Sequence, residues 1–331
     1  MLELTVDNAL DYLRGQGWIG PAPARVEPLG WGVSNAVLRV ETPDRLFVVK
    51  QSRPQLRTRD AWFSDLDRVY REQEVMQLLG ALLPPLTVPD VLFSDRANYV
   101  FAMSHAPRES RVWKETLLSG KVDLEVGRLA GRILGVIHQR TAEAGDDTRR
   151  FADRTAFVQL RIEPFYQRVQ ERRPEVRESV EAIVKRMLSV REALCHGDYS
   201  PKNILTHDHG FTLVDYETAH WGDPTMDLGF FLSHLILKAV RNHTRRRLYF
   251  DLTNEFWRAY ADVAHFRPIA ELQARGIEHF AVCALARIDG TSPVDYLPEE
   301  ERRERVRRIG RGILQERPRQ WEEVLSLLGP G

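Results

Sequence analysis

The section from 195 to 224 limits what this chain can be more than any other part of it. It opens on His196-Gly197-Asp198-Tyr199-Ser200-Pro201-Lys202-Asn203, passes through the strand-like FTLVDY at 211–216, which carries Asp215, and continues into ETAHWGDP. Asp198 and Asn203 stand five residues apart, and Glu217 follows Asp215 by two. An apolar strand running into a carboxylate holds that carboxylate beside a hard cation, which takes oxygen ligands. A compact polar loop between helical stretches is a natural place for chemistry, because a rigid scaffold positions it.

The flanks predict what that scaffold is. Residues 7–17 read as a short amphipathic helix, with Asp7 or Asn8 as its cap and Gly17 as its stop. Two short strands over 26–42 surround a turn with Gly30 and Gly32, and RLFVVK at 45–50 is a third. A helical pattern over 66–80 is followed by strands at 87–93 and 99–103. Beyond 103 the pattern turns helical, at 122–142, 153–171, 176–190, 225–240, 243–263 and 268–287, with a last helix from Pro298 through 299–309 toward Leu328. No fixed-period repeat interrupts this order. The expected division is 1–104 and 105–331, with the linker near Met103–Ala106.

Composition excludes rather than selects. The chain has 331 residues, with 47 Lys and Arg against 47 Asp and Glu, so no globally basic body for nucleic acid is present. Hydrophobic residues make up 43%, enough for a core, in runs too short to span a bilayer. The opening MLELTVDNAL lacks a basic then apolar pattern, so no secretory leader is expected. Cys195 and Cys283 form no disulfide framework and suit a reducing compartment; a cytoplasmic location is expected.

Four separated signals fit one reaction. In Gly30-Trp31-Gly32-Val33-Ser34-Asn35, between two strands, successive backbone N–H groups can cradle phosphate oxygens. A dinucleotide fingerprint is excluded there, since the third glycine is absent. Lys50, ending a strand, can bind phosphate as a point charge. Glu72 can hold that lysine by an ion pair; Glu74 competes, but sits about 200° away around the helix. Asp198 can accept a hydroxyl proton, and Asn203 and Asp215 can share a metal ion with phosphate. Lys202 either neutralises phosphate or faces solvent, and His196 is read as orienting its loop. Glu217 serves metal, water or substrate, or caps a turn, while Asp223 and Asp227 are read as loop and helix-start stabilisers. These are the parts of phosphoryl transfer, in the order of the protein-kinase set.

HGDYSPKNIL at 196–205 and LVDYETAHWGDPTMDLG at 213–229 resemble the aminoglycoside phosphotransferase family, grouped with choline kinases and methylthioribose kinases in the protein-kinase-like superfamily. The resemblance implies an α+β, bilobed fold with a β-rich N-lobe and a predominantly helical C-lobe. ATP lies between them, with Gly30, Gly32, Ser34, Asn35, Lys50, Glu72 and the linker at Met103 on the nucleotide. It implies Asp198 as the catalytic base and Asn203 and Asp215 as Mg²⁺ ligands. About ten residues separate Asp215 from the helix at Thr225, little room for a peptide-receiving activation loop. A small hydroxylated acceptor is therefore expected, without nucleic-acid or membrane partners. A protein or peptide kinase and a nucleotide-binding pseudokinase-like module are the alternatives. Trp113, Trp221, Arg287, Asp289 and Tyr296 are candidates for lining the acceptor site; the bland reading of 287–297 is a capped loop. An aminoglycoside, a sugar, an amino alcohol and a nucleoside-like acceptor stay open.

Overall fold

A computed structural model of the chain describes residues 2–30, 35–55 and 63–329. After α1 (Val6–Gly15), a five-stranded antiparallel sheet is laid down by β1 (Arg25–Pro28), β2 (Asn35–Glu41), β3 (Leu46–Ser52), β4 (Val91–Asp95) and β5 (Val100–Ser104), with α2 (Arg68–Leu82) inserted after β3. The strand order is β1-β2-β3-β5-β4.

Alternation along β3 decides which side chains reach the interior facing α2. Successive residues of a strand point to opposite faces. Phe47 and Val49 join Leu13 and Trp18 in a small core under α1. Val48 turns the other way into the main core with Val75, Met76 and Leu79 of α2, and Lys50 shares its face. A lysine is thereby carried to a buried position, 4% exposed, that only a paired cation tolerates.

The C-terminal region is largely helical. β6 (Arg111–Val112) and α3 (Trp113–Leu118) lead into α4 (Leu124–Ala144), α5 (Asp146–Arg149) and α6 (Thr155–Phe157). A π-helical segment, Val158–Gln167, then joins α6 to α7 (Arg168–Arg172), and α8 (Arg177–Ser189) follows. The loop-rich centre holds β7 (Ala193–Cys195), β8 (Ile204–His207), β9 (Gly210–Leu213) and β10 (His220–Gly222). These pair as β10-β7 and β6-β8-β9. The chain closes with α9 (Thr225–Arg241), α10 (Arg246–Ala261), α11 (Ile269–Asp289), α12 (Glu300–Glu316) and α13 (Trp321–Leu327). Helices α4 and α10 approach so closely that a Cβ on Gly131 would lie 2.1 Å from the Phe256 carbonyl oxygen. The architecture is thus the expected bilobed, protein-kinase-like one, a β-rich N-terminal region followed by a largely helical C-terminal region. Among the described residues no helix is long and apolar enough to cross a membrane.

Four expectations need correction. The strand expected over 87–93 starts only at Val91 and runs to Asp95. The cap of α1 is Thr5, whose N–H donates to Asn8 Oδ1 at 2.8 Å, so Asn8 supports the cap from inside the helix. The strand expected over 211–216 ends at Leu213, leaving Val214 and Asp215 outside it. The last helix is two, because Arg317 adopts a left-handed conformation (φ 53°) and Pro318 cannot continue the helix.

Candidate active site

β7 delivers the chain to His196, and a buried carboxylate fixes the turn that follows. Asp227, near the start of α9, accepts the N–H groups of His196 at 2.7 Å and Gly197 at 2.8 Å, and lies 3.3 Å from His138 Nε2. Gly197 takes φ +76°, and a Cβ there would sit 2.7 Å from the Thr218 carbonyl oxygen, so both conformation and space demand glycine. The His196 ring spans the loop: Nδ1 accepts the Asp198 N–H at 3.2 Å and Nε2 donates to Val214 O at 3.2 Å. Burial lowers its pKa, in keeping with a neutral ring that orients the loop.

Asp198 is 6% exposed, and its two carboxylate oxygens differ. Oδ2 is engaged by Arg161 Nη2 at 2.8 Å, Asn203 Nδ2 at 2.9 Å and Lys202 Nζ at 3.3 Å. Oδ1 accepts from no described donor and is left for another group. Burial works against the Asp198 charge, but Arg161 and Lys202 outweigh it and hold the pKa below the ordinary carboxylate value. Asn203 also donates to the Asp198 carbonyl at 2.9 Å, which commits its NH₂ and leaves its amide oxygen without a donor among the described residues.

Lys50 stands between two carboxylates, 2.6 Å from Glu72 Oε2 and 2.7 Å from Asp215 Oδ1. Glu74 is half-buried on another face of α2, so Glu72 is the partner of the lysine. Burial opposes the Lys50 charge, but Asp215, Glu72 and Glu217 overcome it and raise its pKa. Glu72, fully buried beside Asp215 and Glu217, is pushed up to about 7 despite Lys50. Burial likewise opposes the Asp215 charge, and Lys50 and Lys202 prevail in lowering its pKa. Asp215 itself adopts φ +72°, uncommon for a residue with a Cβ and a form of strain that gathers at functional sites. Lys202 Nζ reaches its Oδ2 at 3.9 Å, linking Asp215 to Asp198.

These groups border a cavity of about 250 Å³ whose walls include Leu29, Val37, Val48, Met103, Ala106 and Leu205. Lys50, Glu72, Asn203 and Asp215 face it from its polar side. Asn35 also borders it, while its side chain donates to Glu217 Oε2 at 2.7 Å; Arg68 Nε meets the same oxygen at 3.0 Å. Gly30 is exposed with open space where its Cβ would be. Gly32 and Ser34 lie outside the described residues. Glu72, Asp215 and Glu217 bring carboxylate oxygens within 4.8 Å of one another, a candidate acidic metal cluster. Oxygen-only donors of this kind, on a cavity that Asn203 also lines, fit a hard cation such as Mg²⁺.

The acceptor candidates divide. Asp289 is held by Arg173 at 2.7 Å and Arg307 at 3.0 Å, an ion-pair network joining the end of α7 to α11 and α12. Trp221 is buried in β10 with its carbonyl accepting from Arg154. Arg287 Cζ lies 5.8 Å from the Phe165 ring, Tyr296 sits near Lys114 and Lys238, and Trp113 packs on Phe231. Asp223 is bound to Arg275 at 2.7 Å, the stabilising role expected of it. Arg161 and Arg68 were not singled out from sequence. Each is an arginine in a helical pattern, and nothing in its local spacing separates it from a solvated one.

Among known proteins, methylthioribose kinase from Exiguobacterium sibiricum is 23% identical over 271 residues, covering 73% of this chain and 69% of the relative. The Escherichia coli enzyme of that name is 26% identical over 245 residues, covering 66% and 58%. The chain thus spans 58–69% of the length of these relatives. Choline kinase from Cryptosporidium parvum shares the fold, with a TM-score of 0.59 over 97% of both chains at 8% identity. The APH family model, the phosphotransferase enzyme family, matches residues 25–261. That match takes in the sheet, Lys50, Asp198, Asn203 and Asp215, and the chain belongs to the phosphotransferase enzyme family.

Proposed function

We propose that this chain moves the γ-phosphoryl group of ATP to a hydroxyl of a small molecule. The observation that carries the reading is Lys50, gripped between Glu72 and Asp215 on the wall of a cavity that Asn203 also borders. The 1–104 segment is the nucleotide-binding lobe and 105–331 the catalytic and acceptor lobe. Lys50 holds phosphate oxygens; Gly30, Gly32, Ser34, Asn35 and Met103 border the nucleotide. Asp198 Oδ1 orients the acceptor hydroxyl and takes its proton late in the transfer, while Arg161, Asn203 and Lys202 fix Oδ2. Asn203 and Asp215 hold Mg²⁺, which when bound supplies positive charge against the phosphate oxygens. Catalysis then rests on positioning and electrostatics.

A small acceptor is favoured over a peptide because residues 216–224, between Asp215 and α9, are buried throughout. A cytoplasmic setting, with ATP and Mg²⁺ at hand, belongs to the same reading. The test is Mg²⁺-dependent ADP release across sugars, aminoglycosides, amino alcohols, hydroxy acids and nucleosides, with Asp198→Ala as control. Acceptor-dependent ADP release that survives in Asp198→Ala would sink the assignment.

A further inference from the structure

On the side of Asp198 toward α9 and α11, the charges that gather are positive. Arg161, paired with Asp198 at 2.8 Å, places its Cζ 5.8 Å from the Phe165 ring and 5.7 Å from Phe230. Arg287 meets the same Phe165 ring at 5.8 Å, and His234 packs on Phe230 at 4.8 Å. One turn along α9 from His234, Lys238 sets its ammonium 5.5 Å from the Tyr296 ring, and Lys114 approaches that ring to 5.9 Å. The Lys114 N–H is bonded to Pro201 O at 2.9 Å, which ties this group to the loop carrying Asp198.

Apart from Asp198, which Arg161 and Lys202 already hold, this cluster has little counter-charge among the described residues. Lys238 is 1% exposed and its ammonium donates to the His234 carbonyl at 2.9 Å. Among the described residues no carboxylate forms an ion pair with Lys114, Lys238 or Arg287, and Asp295 in the neighbouring loop is exposed. Buried polar atoms also stand without partners there: the Tyr296 hydroxyl, Arg287 Nε and Trp113 Nε1. Burial, with Lys114 and Arg287 close by, drives the Lys238 pKa well down. An unpaired buried amine sheds its proton and takes it back when an anion docks beside it, so a cluster of this kind suits an anion that arrives from outside.

We propose that the phosphoryl acceptor is an anionic hydroxyl compound, a hydroxy acid or a phosphorylated polyol, whose carboxylate or phosphate is held by Lys238, Arg287, Lys114 and the Tyr296 hydroxyl. This rests on the kinase reading above. The acceptor oxygen forms the new bond to the γ-phosphorus, its proton passes to Asp198, and the bond from that phosphorus to the β,γ-bridging oxygen breaks with the electron pair leaving on ADP. A polycationic aminoglycoside or a quaternary amine would meet like charge at this position.

Two measurements test the proposal separately from the reading it rests on. With the nucleotide site filled by Mg²⁺ and AMP-PNP, thermal unfolding is followed while glycerate or inorganic phosphate is added. The wild-type Tm should rise with at least one of them, and the arm that responds identifies carboxylate or phosphate as the anion. Lys238→Gln should lose the rise and be no less stable without the anion; Lys114→Gln, at a half-buried position, should weaken it. In turnover, Lys238→Gln should raise KM for the anionic acceptor by about tenfold or more while KM for ATP stays put. No anion-dependent rise in wild type, an equal rise in both variants, or preferred turnover of neutral or cationic acceptors would overturn the anionic assignment and leave the kinase reading standing. Failure to bind nucleotide at all would overturn the kinase reading, and the anionic acceptor with it.

Discussion

Arg161 and Asp198 are joined at 2.8 Å across the floor of the site, the arginine delivered from a π-helical segment and the aspartate from the loop after β7. One of the arginine's five N–H donors is spent on the loop itself, since Nε donates to Gly197 O at 2.7 Å. The pair makes the two Asp198 oxygens unequal and keeps the carboxylate ionised. A carboxylate with a lowered pKa is a weak proton acceptor, which suits a group that orients a hydroxyl early and takes its proton late.

Arg161→Ala should therefore act through Asp198. Removing a cation that lowers the aspartate's pKa raises it, so the acid limb of the pH–rate profile should move to higher pH. Turnover should fall by about tenfold or more, with KM for ATP little changed. Asp198→Asn should cost about 10²–10⁴-fold in turnover with no acid limb left to shift. A profile in Arg161→Ala that superimposes on wild type would assign the arginine to packing alone.

Glu72 gives a stability signature of known sign. Its pKa is raised from 4.5 to about 7, so between those values the folded state binds a proton that the unfolded chain has released. Its contribution to stability is then greatest below about 4.5 and declines as pH rises through about 7, by at most about 1.4 kcal/mol per pH unit. Denaturant unfolding of wild type and Glu72→Gln across this window should show wild type losing ground to the variant as pH rises. In the same direction, deprotonation completes the ion pair with Lys50, so KM for ATP should improve in wild type over the same window and not in the variant.

Gly197→Ala places a Cβ 2.7 Å from the Thr218 carbonyl in a left-handed conformation. Strain of that kind costs about 1–3 kcal/mol before the contact is counted. Calorimetry should show a lowered Tm, and turnover should fall because the loop carrying Asp198 must shift to relieve the clash.

Much of this site could be read from the order of residues because the relevant signals are local. The Asp198–Asn203 spacing, Asp215 after an apolar run, and Lys50 at even spacing from Val48 each follow from a few neighbouring residues. The Glu72–Glu74 ambiguity was narrowed by helical geometry and closed by the 2.6 Å contact. What stayed hidden depends on tertiary placement. Arg161 and Lys238 look like ordinary positions of amphipathic helices until α9, α11 and the π-helical segment bring them together. The break at Arg317 was missed because the charged pattern continues on both sides of it. The short strands β6, β7, β8 and β10 were missed because two to four residues carry no period.

Asp227 supplies the sharpest separation of scaffold from chemistry. It touches neither the cavity nor the proposed acceptor group, yet it accepts both N–H groups that begin the loop carrying Asp198, at 2.7 and 2.8 Å, with no exposure to solvent. Burial opposes its charge, but its bonds and His138 lower its pKa, so it is ionised in the fold. Asp227→Asn keeps the shape but offers one acceptor oxygen where two were used, turning an NH₂ toward a backbone N–H. The expected loss is about 2–4 kcal/mol in denaturant unfolding, from one broken charge-assisted bond and one unsatisfied donor. Nucleotide affinity should survive in the folded fraction, because Lys50 and Glu72 are anchored by the sheet and α2, and Asp215 by Lys50 and the segment after β9, rather than by Asp227. Turnover per folded molecule should fall, because Asp198 is set by the turn that Asp227 holds. Equal loss of nucleotide affinity and turnover would mean that the loop and the nucleotide wall unfold as one unit.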